Sequence, residues 1–179
     1  FADQYIDWTK SHRKRSFYDN GMVGHISAAD PVDLKLKESL VSICQDLKIK
    51  NHPQGTYLCI EGPQFSSRAE SRLFQSFGAH IIGMTNLPEA YLALEAGIGY
   101  VSMCMVTDYD AWKEKAADVT SIVKVLSDNK KSFLAVLTEL LKRWPELPLT
   151  KKTDHKDAFF SNKDMISSSQ HEILEVLFS

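Results

Sequence analysis

The apolar positions of this chain change period several times, and each change marks an element. Leu36, Leu40, Cys44 and Leu47 fall at helical spacing on one face. Asp30-Pro31 ahead of them reads as the helix start, an N-cap residue followed by proline at the first helical position. Thr56-Tyr57-Leu58-Cys59-Ile60 is a short apolar run bounded by Gly55 and Gly62-Pro63, the pattern of a buried strand. FSSRAESRLFQSFG then opens with a capping box, Ser67 followed by Glu70, puts Ala69, Leu73 and Phe77 on one face and closes at Gly78. His80 to Met84 reads as a second strand. Asn86 and Glu89 repeat the capping-box spacing before the helix AYLALEAG, which ends at Gly97. Ile98 to Thr107, rich in Val and Met, reads as a third strand. A long helix follows from Thr120 to Trp144, with Ile122, Leu126, Phe133, Leu137 and Leu141 inward and Pro145 and Pro148 as its stop. Residues 149–163 read as a polar loop and HEILEVLF as a short amphipathic helix. Residues 1–29 are polar, aromatic-rich and weakly periodic, with turns at Gly21 and Gly24, and are assigned no element.

Helix, strand, helix, strand, helix, strand, helix is the order of an α/β fold whose parallel sheet is covered on both faces. Ligands of such sheets bind outside the carboxyl ends of the strands. Those ends are Glu61-Gly62-Pro63-Gln64-Phe65-Ser66-Ser67, Met84-Thr85 and Thr107-Asp108-Tyr109-Asp110.

Composition narrows the setting. The chain has 179 residues, 44% hydrophobic and 25% charged, with a net charge of −2. At roughly 100–200 residues per domain that is one domain, 1–179. No apolar run approaches the roughly 18 residues of a membrane span, and no basic-then-apolar leader opens the sequence. The near-neutral balance gives no basis for nucleic-acid or membrane-surface binding. His12-Arg13-Lys14-Arg15 is read as a solvated loop, since no aromatic-interleaved basic face accompanies it. Cys44, Cys59 and Cys104 are scattered in apolar segments, the usage of reduced core thiols in a cytoplasmic protein rather than a disulfide framework or a zinc site.

The three strand ends together offer an aromatic face, hydroxyls at helix entrances, a thioether and two carboxylates. That set suits a flat heterocycle joined to a sugar. A carboxylate accepts from an exocyclic amine and, when protonated, donates to a ring nitrogen. A threonine hydroxyl beside backbone N–H groups at a helix start suits an anion. Each residue also has a plainer reading: Ser66 and Ser67 as caps, Asp108 and Asp110 as turn residues, Met84 as core filler, Thr85 as a helix entrance, Phe65 as a staple.

The segment EGPQFSSRAESRLFQSFGAHIIGMTNLPEAYLALEAGIGYVSMCMVTDYDAW is very similar to the trimeric 5′-methylthioadenosine phosphorylases of the purine nucleoside phosphorylase superfamily, and SFYD and GHISAADPVD fit the same family. The resemblance covers roughly residues 3–145, with EGPxFSSRAES, GMTxxPE and TDYDxW in order and at the family's separations. It implies a three-layer α-β-α fold with a mixed, largely parallel sheet, lacking the family's amino-terminal part in this chain. By the same resemblance Phe65 packs on base and ribose, Ser66 lies beside the base, Met84 contacts ribose and Thr85 contacts phosphate. Asp108 resembles the catalytic carboxylate at purine N7 and Asp110 its companion near the 6-amino group. His25 resembles a histidine that completes a neighbouring subunit's site, which implies a homotrimer.

Phosphorylases of 6-oxopurines resemble the same motifs but carry glutamate and asparagine where this chain has Ser66 and Asp108. An aspartate facing a 6-oxo oxygen leaves a buried acceptor–acceptor conflict of ~1–3 kcal/mol or more, whereas a 6-amino group matches it. The implied reaction is phosphorolysis of 5′-methylthioadenosine to adenine and 5-methylthioribose-1-phosphate, with inorganic phosphate as co-substrate and neither metal nor organic cofactor. The family's glycine-rich phosphate loop is not found in this chain, and Gly97-Ile98-Gly99 sits at a helix–strand junction ill suited to an anion. Two other readings therefore stand beside it: a fragment that binds adenine nucleosides without catalysis, and another purine nucleoside phosphorylase or a hydrolytic nucleosidase. The sequence leaves open whether methylthioadenosine is preferred to adenosine.

Overall fold

A computed structural model describes residues 1–10, 13–113, 119–148, 150 and 152–179. Its sheet has three parallel strands in the order β1 (Gln4–Trp8), β2 (Thr56–Ile60) and β3 (Ile81–Gly83). Tyr5, Tyr57 and Ile81 lie in register, as do Ile6, Leu58 and Ile82. Because side chains alternate across a strand, these two rows face opposite layers.

One face buries Tyr5, Tyr57 and Cys59 with Leu87 and Ala90, so that α3 (Glu89–Glu95) covers it. The other buries Leu58 and Ile60 with Phe74 of α2 (Arg68–Ser76), flanked by Ile6, Ile82 and Met84. Helices on both faces of a parallel sheet give the expected α/β architecture. A third cluster joins Leu40, Ile43 and Cys44 of α1 (Leu34–Asp46) to Val136 of α4 (Val119–Arg143). A fourth packs Tyr18 and Met22 against Leu174 and Leu177 of α5 (Ser168–Leu177).

Several local expectations hold. β2 spans the expected five residues, and the Ser67–Glu70 capping box forms in both directions: Glu70 N–H donates to Ser67 Oγ and Ser67 N–H to Glu70 Oε2. Gly78 follows α2 at φ +77°, the left-handed conformation that ends a helix.

Others are corrected. The polar amino-terminal stretch contains β1, whose alternation is masked by Gln4 and Asp7. The segment expected as the third strand joins no ladder. Its carbonyls go elsewhere: Tyr100 accepts from Asp33 N–H, Val106 from Asn129 Nδ2, and Ser102 from Ala2 N–H at 3.4 Å. α1 is capped by Asp33, whose Oδ1 accepts from Leu36 N–H, because Val32 is held in the core and fixes the approach. At α3 the Asn86 side chain caps nothing; Nδ2 donates to Ser102 Oγ at 2.6 Å, and Glu89 accepts from Tyr100.

The inward faces of two helices are also shifted. In α2 the buried residues are Ser71 and Phe74, while Leu73 and Phe77 are exposed and Phe77 touches Trp8. In α4 the stripe that meets α1 is Val136 and Leu140; Leu126 and Leu141 are exposed. Phe74 is the largest side chain sealed beneath the sheet and meets Trp8 edge-on at 5.6 Å. Phe74→Ala is expected to cost about 3–5 kcal/mol, read as a lower midpoint in urea unfolding with little change in slope.

Candidate active site

The loops after β2 and β3 leave the same edge of the sheet and touch at once. Gly62 takes φ +73°, and a Cβ there would meet Met84 Sδ at 2.6 Å, so glycine lets the first loop pass over the second. The first loop carries Phe65 and Ser66. Phe65 is 79% exposed, and Ser66 Oγ is buried with no hydrogen-bond partner among the described residues.

Thr85 is set by the sheet face beneath it. Gly83 leaves room for the Tyr57 hydroxyl, which a Cβ at that position would strike. Burial pushes the Tyr57 phenol above its ordinary value, opposed in part by hydrogen bonding from Thr85. Beside it, Tyr5 and Asn86 meet on Ser102 Oγ, and burial raises the Tyr5 phenol to about 12. These groups are polar but bonded, so they fix the start of the Thr85 loop without an orphaned atom.

The third segment is fastened to α2. Trp112 N–H donates to Ser71 Oγ at 3.1 Å, and Arg68 Nη1 donates to the carbonyls of Ala111 and Lys113. Tyr109 and Trp112 pack edge-to-face at 5.5 Å, with Lys113 Nζ 3.6 Å over the tyrosine ring. Asp108 is exposed, and its Oδ1 accepts from Thr107 Oγ1 at 2.6 Å. Asp110 is half-buried, and its carbonyl accepts from Lys113 N–H. The loop after β2 is thus the common neighbour of the other two: Gly62 abuts Met84, and the helix it leads into holds residues 111–113.

His25 is placed differently. Its N–H donates to the Ala158 carbonyl and its ring lies 5.5 Å from Phe160. No hydrogen bond, ion pair or ring contact among the described residues links it to Phe65, Met84, Thr85 or Asp108. The loop that carries it is bound to the C-terminal segment by Gln170 Nε2, which donates to the Asp19 and Asn20 carbonyls, and by a bridge between Gly24 and Phe159.

Sequence reasoning missed Arg13. Its side chain is 21% exposed, not a solvated one, and Nε donates to Glu61 Oε1 at 3.0 Å. Nη2 donates to the Glu61 carbonyl and Nη1 to the carbonyls of Met84 and Leu87. His12, read with it, lies outside the described residues. Arg13 also lines, with Thr85 and Leu92, an open groove of about 500 Å³ along α3. No group of three or more His, Cys, Asp or Glu side chains among the described residues has the grouping a metal ion needs, and no helix among them is long and apolar enough to cross a membrane.

The loops after β2 and β3 bring aromatic, hydroxyl and thioether groups to one edge of the sheet, and α2 holds the segment that follows the two carboxylates. The model of the phosphorylase superfamily matches residues 1–142, and the chain belongs to that family. It is 46% identical over 145 residues to the S-methyl-5′-thioadenosine phosphorylase of Thermofilum pendens, covering 81% of this chain and 55% of that protein. A solved methylthioadenosine phosphorylase sourced from an Antarctic soil metagenomic library superposes with a TM-score of 0.79 at 33% identity, over 99% of this chain and 64% of that one. A Schistosoma mansoni adenosine/methylthioadenosine phosphorylase mutant in complex with adenine superposes at 0.67 with 27% identity, over 76% and 53%. The chain spans about half the length of the curated relatives it matches.

The seating of Thr85 on Tyr57 generates a stability test. Gly83→Ala is expected to destabilise the fold by about 1–3 kcal/mol through overpacking. Because the hydroxyl is struck first and the ring carbon Cζ, at 2.5 Å, second, Tyr57→Phe in the same chain is expected to recover only part of the loss, seen as a non-additive double-mutant cycle in urea unfolding.

Proposed function

We propose that this protein acts as a pentosyltransferase that splits 5′-methylthioadenosine with phosphate, releasing adenine and 5-methylthioribose-1-phosphate. The observation that supports the reading is the packing of the loop that leads to Phe65-Ser66 against Met84, and the hold of α2 on the segment that follows Asp108 and Asp110, in a chain of the phosphorylase superfamily. The names borne by its relatives support the same substrate.

In this reading Phe65 packs on the base and ribose, Ser66 sits beside the base and Met84 contacts the ribose. Thr85 binds phosphate. A phosphate oxygen forms the new bond to C1′ as the bond from C1′ to N9 breaks, and that electron pair passes into the purine. Asp108 delivers a proton to N7, so that adenine departs neutral, and Asp110 accepts from the 6-amino side. Thr107 occupies Oδ1 of Asp108, which leaves Oδ2 for the purine. Phosphate is the second substrate, and no metal or organic cofactor takes part.

Two finer elements belong to the proposal. His25, held outward on the loop clamped by the C-terminal segment, completes the site of a neighbouring copy in a homotrimer. Residues 1–179 form one nucleoside phosphorylase domain whose amino-terminal part lies upstream, in keeping with the greater length of the relatives. The free thiols of Cys44, Cys59 and Cys104 support a reducing compartment such as the cytoplasm.

Adenine release from 5′-methylthioadenosine, measured with and without phosphate on this chain and on the chain joined to its upstream residues, tests the reading. Release that requires phosphate is the expected result. Release in its absence would mean a hydrolytic nucleosidase, and binding of the nucleoside without release a non-catalytic module. Asp108→Ala is expected to lower kcat by ~10²–10⁴ while leaving the KM for nucleoside within a few-fold, because the lost proton transfer belongs to the transition state.

A further inference from the structure

We infer that Arg13 is the positioning residue that holds the phosphate-side loop of the site in its working shape. The inference rests on the phosphorolytic reading above for the meaning of Thr85, and on this structure for the hold itself. Met84 and Leu87 flank Thr85-Asn86, and both of their carbonyls accept from the one Nη1 of Arg13, at 2.8 and 2.6 Å. The same guanidinium binds the Glu61 carboxylate through Nε and the Glu61 carbonyl through Nη2. One planar group therefore fixes the backbone at the ends of both β2 and β3.

The residue type matters. Three carbonyls and a carboxylate around one centre need a fork of fixed N–H directions, which guanidinium supplies and an ammonium does not. Glu61 is itself oriented, since its Oε2 accepts from Lys10 N–H. The carbonyls of residues 84 and 87 leave the strand end without a ladder partner, so removing Arg13 leaves the stretch that carries Thr85 held only by the weaker contacts of Tyr57, Ser102 and Cys59. Charge-assisted bonds of this kind are roughly twice as strong as neutral ones. Arg13 acts through the loop and not on the substrate.

Arg13→Met and Arg13→Lys, prepared in this chain and in the chain with its upstream residues, test the inference by two readouts. In the longer chain the expected result for Arg13→Met is a fall of about 10²-fold in kcat/KM for phosphate, with the KM for nucleoside changed by no more than a few-fold. Arg13→Lys restores little of it, whereas millimolar guanidinium added to Arg13→Ala restores part. In this chain, amide hydrogen exchange at Ala90 and Leu92, whose N–H groups bond to the Asn86 and Pro88 carbonyls, is expected to rise in Arg13→Met while exchange in α1 stays unchanged.

Unchanged exchange at Ala90 and Leu92 overturns the inference, as does an equal loss for phosphate and nucleoside or full activity in Arg13→Lys. Absence of phosphate-dependent release from the unsubstituted protein overturns the phosphorolytic reading instead, and the exchange result still decides whether Arg13 holds the loop.

Discussion

Backbone carbonyls at the end of a strand must find partners, and at this sheet edge the partner is one guanidinium. β3 is only three residues long and stops at Gly83, so the chain from Met84 to Leu87 has no ladder to bond to. Arg13 accepts that role from across the edge, bonding to Met84, Leu87 and Glu61 together. Everything that approaches the edge inherits this arrangement. Gly62 passes over Met84, Tyr57 seats Thr85 through the space at Gly83, and α2 begins where the first loop ends. The loops are irregular, but their origins are not free.

The sheet itself is held by its two faces. Tyr5, Tyr57 and Cys59 meet α3, and Leu58, Ile60 and Phe74 close the other side against α2. Burial from both sides is what makes β2 read as an unbroken apolar run, since a strand with no wet face has no reason to alternate. β1 carries Asp3, Gln4 and Asp7 at its margins, where Asp7 binds Thr9 and Arg15, and the apolar signal is correspondingly diluted. The same sheet therefore has one strand that is plain in the sequence and one that is hidden in it.

What could be read in advance follows that division. Local rules that close within four residues, such as the Ser67–Glu70 box and the Gly78 stop, were legible because nothing distant competes with them. The Asn86–Glu89 spacing obeys the same rule but fails, since Ser102 and Tyr100 take those side chains for a tertiary network. Val- and Met-rich residues 98–107 match a strand in composition, yet their carbonyls are spent on Asp33 and Asn129. Helical periodicity found α2 and α4 but chose the wrong stripe, because several apolar positions of each helix remain exposed and periodicity alone does not say which side meets the core. Two of the candidate loops follow strands of the observed sheet, whereas the loop of Asp108 and Asp110 was reached from a strand over 98–107 that joins no ladder. Arg13 was not, because a basic run looks the same whether one member turns inward or all remain in water.

The placement of Asp108 shows how an exposed loop still limits its chemistry. Thr107 donates to Oδ1, which leaves Oδ2 as the oxygen not bonded to protein among the described residues. A carboxylate held by one oxygen presents a defined second one, and in the proposed reaction that restriction favours the meeting with N7 because fewer orientations are lost when the purine arrives. The loop beyond it is fastened by Trp112 to Ser71 and by Arg68 to Ala111 and Lys113, both within the first turn of α2. The carboxylate loop and the aromatic loop are thus referred to the same helix, while Arg13 ties the start of the aromatic loop to the loop of Thr85. In the proposed reaction a nucleoside spanning them would lie across loops anchored by α2 and by Arg13, with the bond that breaks between its base and its sugar.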